Sequence, residues 1–194
     1  MAIFRDTEVS PTRTVKRLLQ SCDQKTATGQ RNYAILLLLS RLGLRAGEIV
    51  HMALDDINWE SGELIVRGKS RWEEKLPLPD DVGQAIAAYL RHSRPYCSSR
   101  KIFIRMFTPK QGFSGSAAVC TIVRRSLAHA GIDTDFKGTH LFRHALATNM
   151  LRGGATITEI GQILSEAPTF KYHRNLCKSR PWCTPCNYTA LLGR

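Results

Sequence analysis

The segment "QRNYAILLLLSRLG", residues 30–43, is apolar on nearly every side and stops at a glycine. A helix that is hydrophobic all round has no face to give to water, so it must lie at the centre of a domain with other elements wrapped about it. Gly43 suits the left-handed residue just past a helix end. The next helical pattern, "RAGEIVHMAL", begins directly after it, so the chain bends sharply and presents Arg45 at the corner, with Glu48 one turn on and able to pair with it.

The other elements must supply the wrapping. Ser10-Pro11 reads as an N-cap followed by a first-turn proline, and "TRTVKRLLQSC" carries Val15, Leu18 and Leu19 at helical spacing. From Asp55 to Pro79 the period changes to two, with breaks at Ser61-Gly62 and Gly68-Lys69, which predicts a three-stranded antiparallel sheet whose second turn carries Lys69. "DDVGQAIAAYLRHSR" resumes the helical pattern, and "RKIFI" reads as a short strand or extended segment. "SGSAAVCTIVRRSLAHAGI" is an amphipathic helix ending at Gly131, Thr139 is the expected N-cap of "HLFRHALATNMLRGG", and "TITEIGQIL" is the next helix. The fold class expected is α+β, mainly helical, with about six helices around one small sheet. There is no internal repeat and no low-complexity linker.

Charge narrows the partners. The formal charge of +12 over 194 residues points to a polyanion, with nucleic acid ahead of membrane. "MAIFRDTEVS" has Arg5, Asp6 and Glu8 where a secretory leader needs an apolar core, and "AILLLL" at 34–39 is too short to span a bilayer, so a soluble cytoplasmic protein without membrane partners is expected. Six cysteines, at 22, 97, 120, 177, 183 and 186, lack the dense spacing of a disulfide framework and are expected as reduced thiols.

Against that background "THLFRHALAT", residues 139–148, gathers His140, Arg143 and His144 at a helix start. His140 and Arg143 project from one face near the N-terminus, where the macrodipole and free N–H groups also favour an anion, so one phosphate could take all of these. Arg45 at a helix corner and Lys69 at a hairpin tip sit where rigid elements hold side chains at a cleft rim. Taken singly each has an ordinary structural reading: a helix-corner arginine caps or pairs, a hairpin lysine is a turn charge, and a histidine at a helix start is a satisfied structural group.

The ordered set "GLRAGEI", "VRGKSRWEEKLPLP" and "HLFRHALAT" resembles the catalytic domain of the tyrosine recombinases, the phage-integrase and Xer-like family, over residues 12–164. The resemblance implies that Arg45, His140 and Arg143 bind the scissile phosphate of double-stranded DNA and that Lys69 is general acid toward the leaving 5′ oxygen. It also implies a tyrosine nucleophile that forms a 3′-phosphotyrosine link, with other recombinase protomers as partners. The chemistry agrees: two guanidiniums grip the non-bridging oxygens in fixed fork geometry, so charge stabilisation needs neither metal nor other cofactor.

The sequence departs from the family after Leu164. Glu166 stands in the region of a family histidine and Asn175 at the position of the tyrosine, while Tyr172 is three residues early and Tyr188 far later. Each helical residue turns the side-chain direction by about 100°, so neither tyrosine inherits the role, and Tyr172 is the nearest substitute nucleophile. The tail "KYHRNLCKSR" can be encoded so that a frame one base later reads N-T-T-E-I-Y-A-K-V-D, which looks like the missing family ending. The expected organisation is therefore an N-terminal extension (1–11), an incomplete catalytic domain (12–164) and an irregular, frame-shifted tail (165–194), without the N-terminal DNA-binding domain of the family. His173, Cys177, Cys183 and Cys186 could be read as zinc ligands, but the spacing is not that of a standard finger and no metal is expected. Two function classes follow: a site-specific recombinase impaired in cleavage, or a non-catalytic module that binds DNA or pairs with intact recombinases.

Overall fold

A computed structural model describes residues 10–68, 73–134 and 136–164. In chain order its elements are α1 (Pro11–Gln20), α2 (Ala27–Leu42), α3 (Ala46–His51), a 3₁₀ turn (Leu54–Asp56), β1 (Ile57–Asn58), β2 (Glu63–Arg67), β3 (Glu73–Pro77), α4 (Asp80–His92), α5 (Ser116–His129), α6 (His140–Arg152) and α7 (Ile157–Leu164). Seven α-helices among the described residues surround one sheet of order β1-β2-β3, both pairings antiparallel. The α+β class and the small sheet are as the sequence predicts, with one helix more than the round figure of six.

α2 is the centre. Ala34, Ile35, Leu36, Leu37, Leu38 and Leu39 are all buried in succession, which only a helix covered on every side allows. α1, α4, α5 and α6 all pack against it. It begins earlier than its apolar run suggests, because the Thr26 hydroxyl accepts the Gly29 N–H and caps it. It ends at Gly43 with φ 62°, in the left-handed region. A Cβ there would lie 2.8 Å from the Leu146 Cδ2 of α6, so the position requires glycine for conformation and for space.

Two expected N-caps are present by position only. Ser10 and Thr139 occupy the cap positions of α1 and α6, but neither side chain makes a capping bond. Proline at the first position of α1 fixes the helical φ without help, and Thr139 itself has helical φ and ψ, which turns its hydroxyl away from the free amides. α3 is also shorter than "RAGEIVHMAL", ending at His51. The backbone then turns so that the Asp56 carboxylate accepts the Ala53 N–H at 2.7 Å and pairs with Arg67 of β2, which ties the sheet to the exit of α3. "RKIFI" is an extended segment with isolated bridges from Lys101 to Ala53 and from Ile104 to Gly112.

Arg31, 7% exposed, crosses from α2 to that segment: it donates to the Ile104 carbonyl at 3.1 Å and to the Asn32 side chain, and lies over the Phe113 ring. Burial holds its pKa below the ordinary arginine value. Cys22, Cys97 and Cys120 are free thiols, as expected, and burial pushes Cys22 up to about 11, so it stays protonated at neutral pH.

Gly43→Ala is expected to cost about 1–2 kcal/mol from the left-handed backbone alone, with more from the displaced Leu146 side chain. A denaturant titration showing wild-type stability for this variant would contradict the corner as described.

Candidate functional site

The site begins at the Gly43 turn. Leu44 is buried and anchors the corner, leaving Arg45 to start α3 with extended backbone, φ −78° and ψ 151°. One carboxylate holds both ends of that arginine. Glu48 accepts the Arg45 backbone N–H at 2.7 Å through one oxygen and approaches the guanidinium at 3.4 Å through the other. The pairing expected from the one-turn spacing is present, and it fixes the direction in which a side chain still 39% exposed can point.

α6 supplies the second group. Leu141, Phe142, Ala145 and Leu146 face the core, so His140, Arg143 and His144 fall toward the other side. Arg143, half-buried, donates to the Gly43 carbonyl at 2.8 Å and also to the Leu164 carbonyl. Residues 100 apart in the chain are thereby joined, and the Arg143 guanidinium is held two residues before Arg45. His140 and His144 are exposed, and the His144 ring lies 4.9 Å from that of Phe136. The helix start contributes less than the sequence suggests, because the Leu141 and Phe142 amides already donate to the Gly138 and Thr139 carbonyls in a tight first turn.

The sheet approaches the same corner. Arg67 and Glu73 form the last pair of β2 and β3, and the connecting residues 69–72 lie outside the described residues, so Lys69 has no placement of its own. Glu74, next along β3, is within electrostatic reach of Glu48: burial and then that neighbouring carboxylate raise its pKa above the ordinary glutamate value. β2 packs against α3, so Glu74, paired with Val66 of β2, lies on the side of the domain that carries Glu48. Glu166, Tyr172, Asn175, Tyr188 and the candidate zinc ligands of the tail also lie outside the described residues. Among those described, no three potential metal-binding side chains come together, and no helix is long and apolar enough to cross a membrane.

This constellation has known relatives. A model of the phage integrase family matches residues 10–166. The chain belongs to that family. Within it, a Sinorhizobium fredii protein named as an integrase/recombinase, y4rA, is 54% identical over 150 residues, which is 77% of this chain and 36% of the relative. A second from the same organism, y4gC, is 37% identical over 167 residues, 85% of this chain and 82% of the relative. Among solved structures, the XerH site-specific recombinase bound to its difH substrate in a pre-cleavage complex has the same fold, with a TM-score of 0.64 at 19% identity over 79% of this chain and 45% of that one. This integrase-family chain thus spans little more than a third of y4rA.

Two features of the site escaped the sequence reading. The Gly43 carbonyl as the acceptor for Arg143 has no sequence signal, since it depends on how α6 crosses the end of α2. Glu74 does have one: in "EEKLPL" it falls in phase with Leu76 and Leu78, on the inward side of the strand.

Arg143→Met should lower stability by about 1–3 kcal/mol, because it leaves the partly buried Gly43 and Leu164 carbonyls without this donor. Arg45→Met should cost less than about 1 kcal/mol, as expected for a partly exposed pair. Chemical unfolding of the two variants side by side checks the order.

Proposed function

We propose that this chain is the DNA-acting domain of a site-specific recombinase, working on double-stranded DNA in the cytoplasm together with other recombinase protomers. The observation that carries the reading is the bond from Arg143 to the Gly43 carbonyl, which brings a guanidinium from α6 to the corner that presents Arg45. A phosphodiester seated there meets two planar cations, each held by its own partners before the substrate arrives. Such fixed positive charge favours the extra negative charge that builds on the non-bridging oxygens as phosphorus is attacked.

In this reading Arg45 and Arg143 grip those oxygens, and His140, three residues before Arg143 on the same helix, adds a hydrogen bond or shares a proton. His144 contributes to the DNA-facing surface. Lys69 gives its proton to the leaving 5′ oxygen as the bond to phosphorus breaks. The fold and the overall charge of +12 support DNA as the polyanion.

Covalent strand transfer needs one further group that cations cannot replace: a nucleophile in line with the leaving oxygen, about 3–3.5 Å from phosphorus. Asn175 stands at the family tyrosine position and cannot attack as a phenol does. The chain is therefore expected to bind DNA without forming the 3′-phosphotyrosine link, unless Tyr172 substitutes.

A nicked duplex that traps the covalent intermediate tests this on a denaturing gel, comparing the wild-type chain, its Tyr172→Phe variant and a version with the tail frame restored. Binding without an adduct in the wild type, and an adduct after restoration, is the expected result. An adduct with the wild type that disappears in Tyr172→Phe would overturn the loss of cleavage, and absence of DNA binding would overturn the function. Arg45→Ala and Arg143→Ala should each weaken binding only about 3- to 10-fold, being single phosphate contacts among several, while abolishing any cleavage seen.

A further inference from the structure

β3 alternates: Glu73 and Lys75 are exposed, whereas Glu74 is half-buried. In the antiparallel register Glu74 stands opposite Val66, and the next inward residue, Leu76, stands opposite Leu64, both partners being core residues. Glu74 thus occupies the last inward-facing place of the sheet, at the rim of the core. Apolar side chains fill such places at lower cost than a carboxylate does, because a charge there loses water on one side. Among the described residues nothing compensates it, since Glu74 has neither a hydrogen bond nor an ion pair.

The nearby charges have other partners. On the outer face, Arg67 bonds to Asp56 and Glu73, and Lys75 lies 3.8 Å from Glu63. β2, which carries the Val66 partner of Glu74, packs against α3, and from α3 the facing group is Glu48, itself committed to Arg45. Lys69 and Arg71 belong to the connecting residues outside the described set. Glu74 therefore adds a second negative charge to the side of the corner where Glu48 already stands, and burial together with Glu48 raises its pKa.

We infer that Glu74 is a specificity-determining residue, a fixed negative charge that weakens the hold of the Arg45 corner on any single DNA phosphate. The inference rests on the reading of this corner as a phosphate site. Coulomb repulsion across a partly dry rim is less screened than on an open surface, so one carboxylate there counts for more than one elsewhere. Weakening the sequence-independent phosphate term leaves more of the discrimination to contacts that only the correct site can make.

The test titrates a fluorescent duplex of arbitrary sequence with the full chain, its Glu74→Gln variant and Glu60→Gln, an equal charge change at the exposed β1–β2 turn. At pH 7.5 Glu74→Gln should tighten binding about 3- to 10-fold and Glu60→Gln less than about twofold. The gain should shrink as pH falls and the wild-type carboxyl takes up its own proton. Equal shifts in both variants, or no tightening in Glu74→Gln, would overturn the inference while leaving the proposed function standing.

A DNA-free measurement separates the two claims. A carboxyl with a raised folded-state pKa contributes stability that is full at low pH and lost as pH rises through the folded value. Glu74→Gln should therefore melt higher than the wild type at pH 7.5, with the difference closing as pH falls. A flat difference would remove the electrostatic basis of the inference. A pH-dependent difference with no DNA binding by the wild type would overturn the proposed function, and this inference with it.

Discussion

One guanidinium ties the domain together at the Gly43 corner. Arg143 leaves α6, reaches the carbonyl just past the end of α2 and the carbonyl that ends α7, and so supplies donors where helix ends have acceptors without intrahelical partners. Two helix C-terminal ends share one cation. Because the fork of an arginine is planar and rigid, satisfying both carbonyls also sets the plane of the group. Packing and the proposed phosphate grip thus depend on the same few atoms.

That arrangement is possible because α2 is covered on all sides. A helix of 16 residues, about 24 Å long, runs through the core and delivers its C-terminal corner to the surface at one defined place. At its other end Arg31 fastens the extended 102–113 segment through a carbonyl and an aromatic ring. The sheet is fastened separately, through the buried Asp56 and Arg67. Each group that borders the corner is therefore carried by an element with its own anchorage, which is what a preorganised charge site requires.

The sequence was legible where pattern and physics coincide. The all-apolar run demanded a buried helix, Gly43 marked its end, and the change to a period of two marked the sheet. Arg45 with Glu48 was readable because one turn of helix brings them together whatever the rest of the fold does. Arg143 could be assigned to a face of α6, but not to its acceptor, since the crossing of α6 over the end of α2 is set by long-range packing. The cap positions Ser10 and Thr139 were legible, but not that neither side chain makes the capping bond, because residue type favours that bond while backbone dihedrals decide it. Glu74 was overlooked among other charged residues although its phase with Leu76 placed it inward. Lys69 and the tail residues remain readings of the sequence and the family.

The Leu164 carbonyl held by Arg143 has a kinetic side. The chain beyond it sets out from the edge of the cation site, so any reactive group it carries is tethered there and acts at an effective concentration set by the number of intervening residues. Tyr172 is eight residues on, a reach of at most about 28 Å fully extended. Under the proposed function, so short a tether would make arrival at phosphorus a matter of chain geometry and not of diffusion.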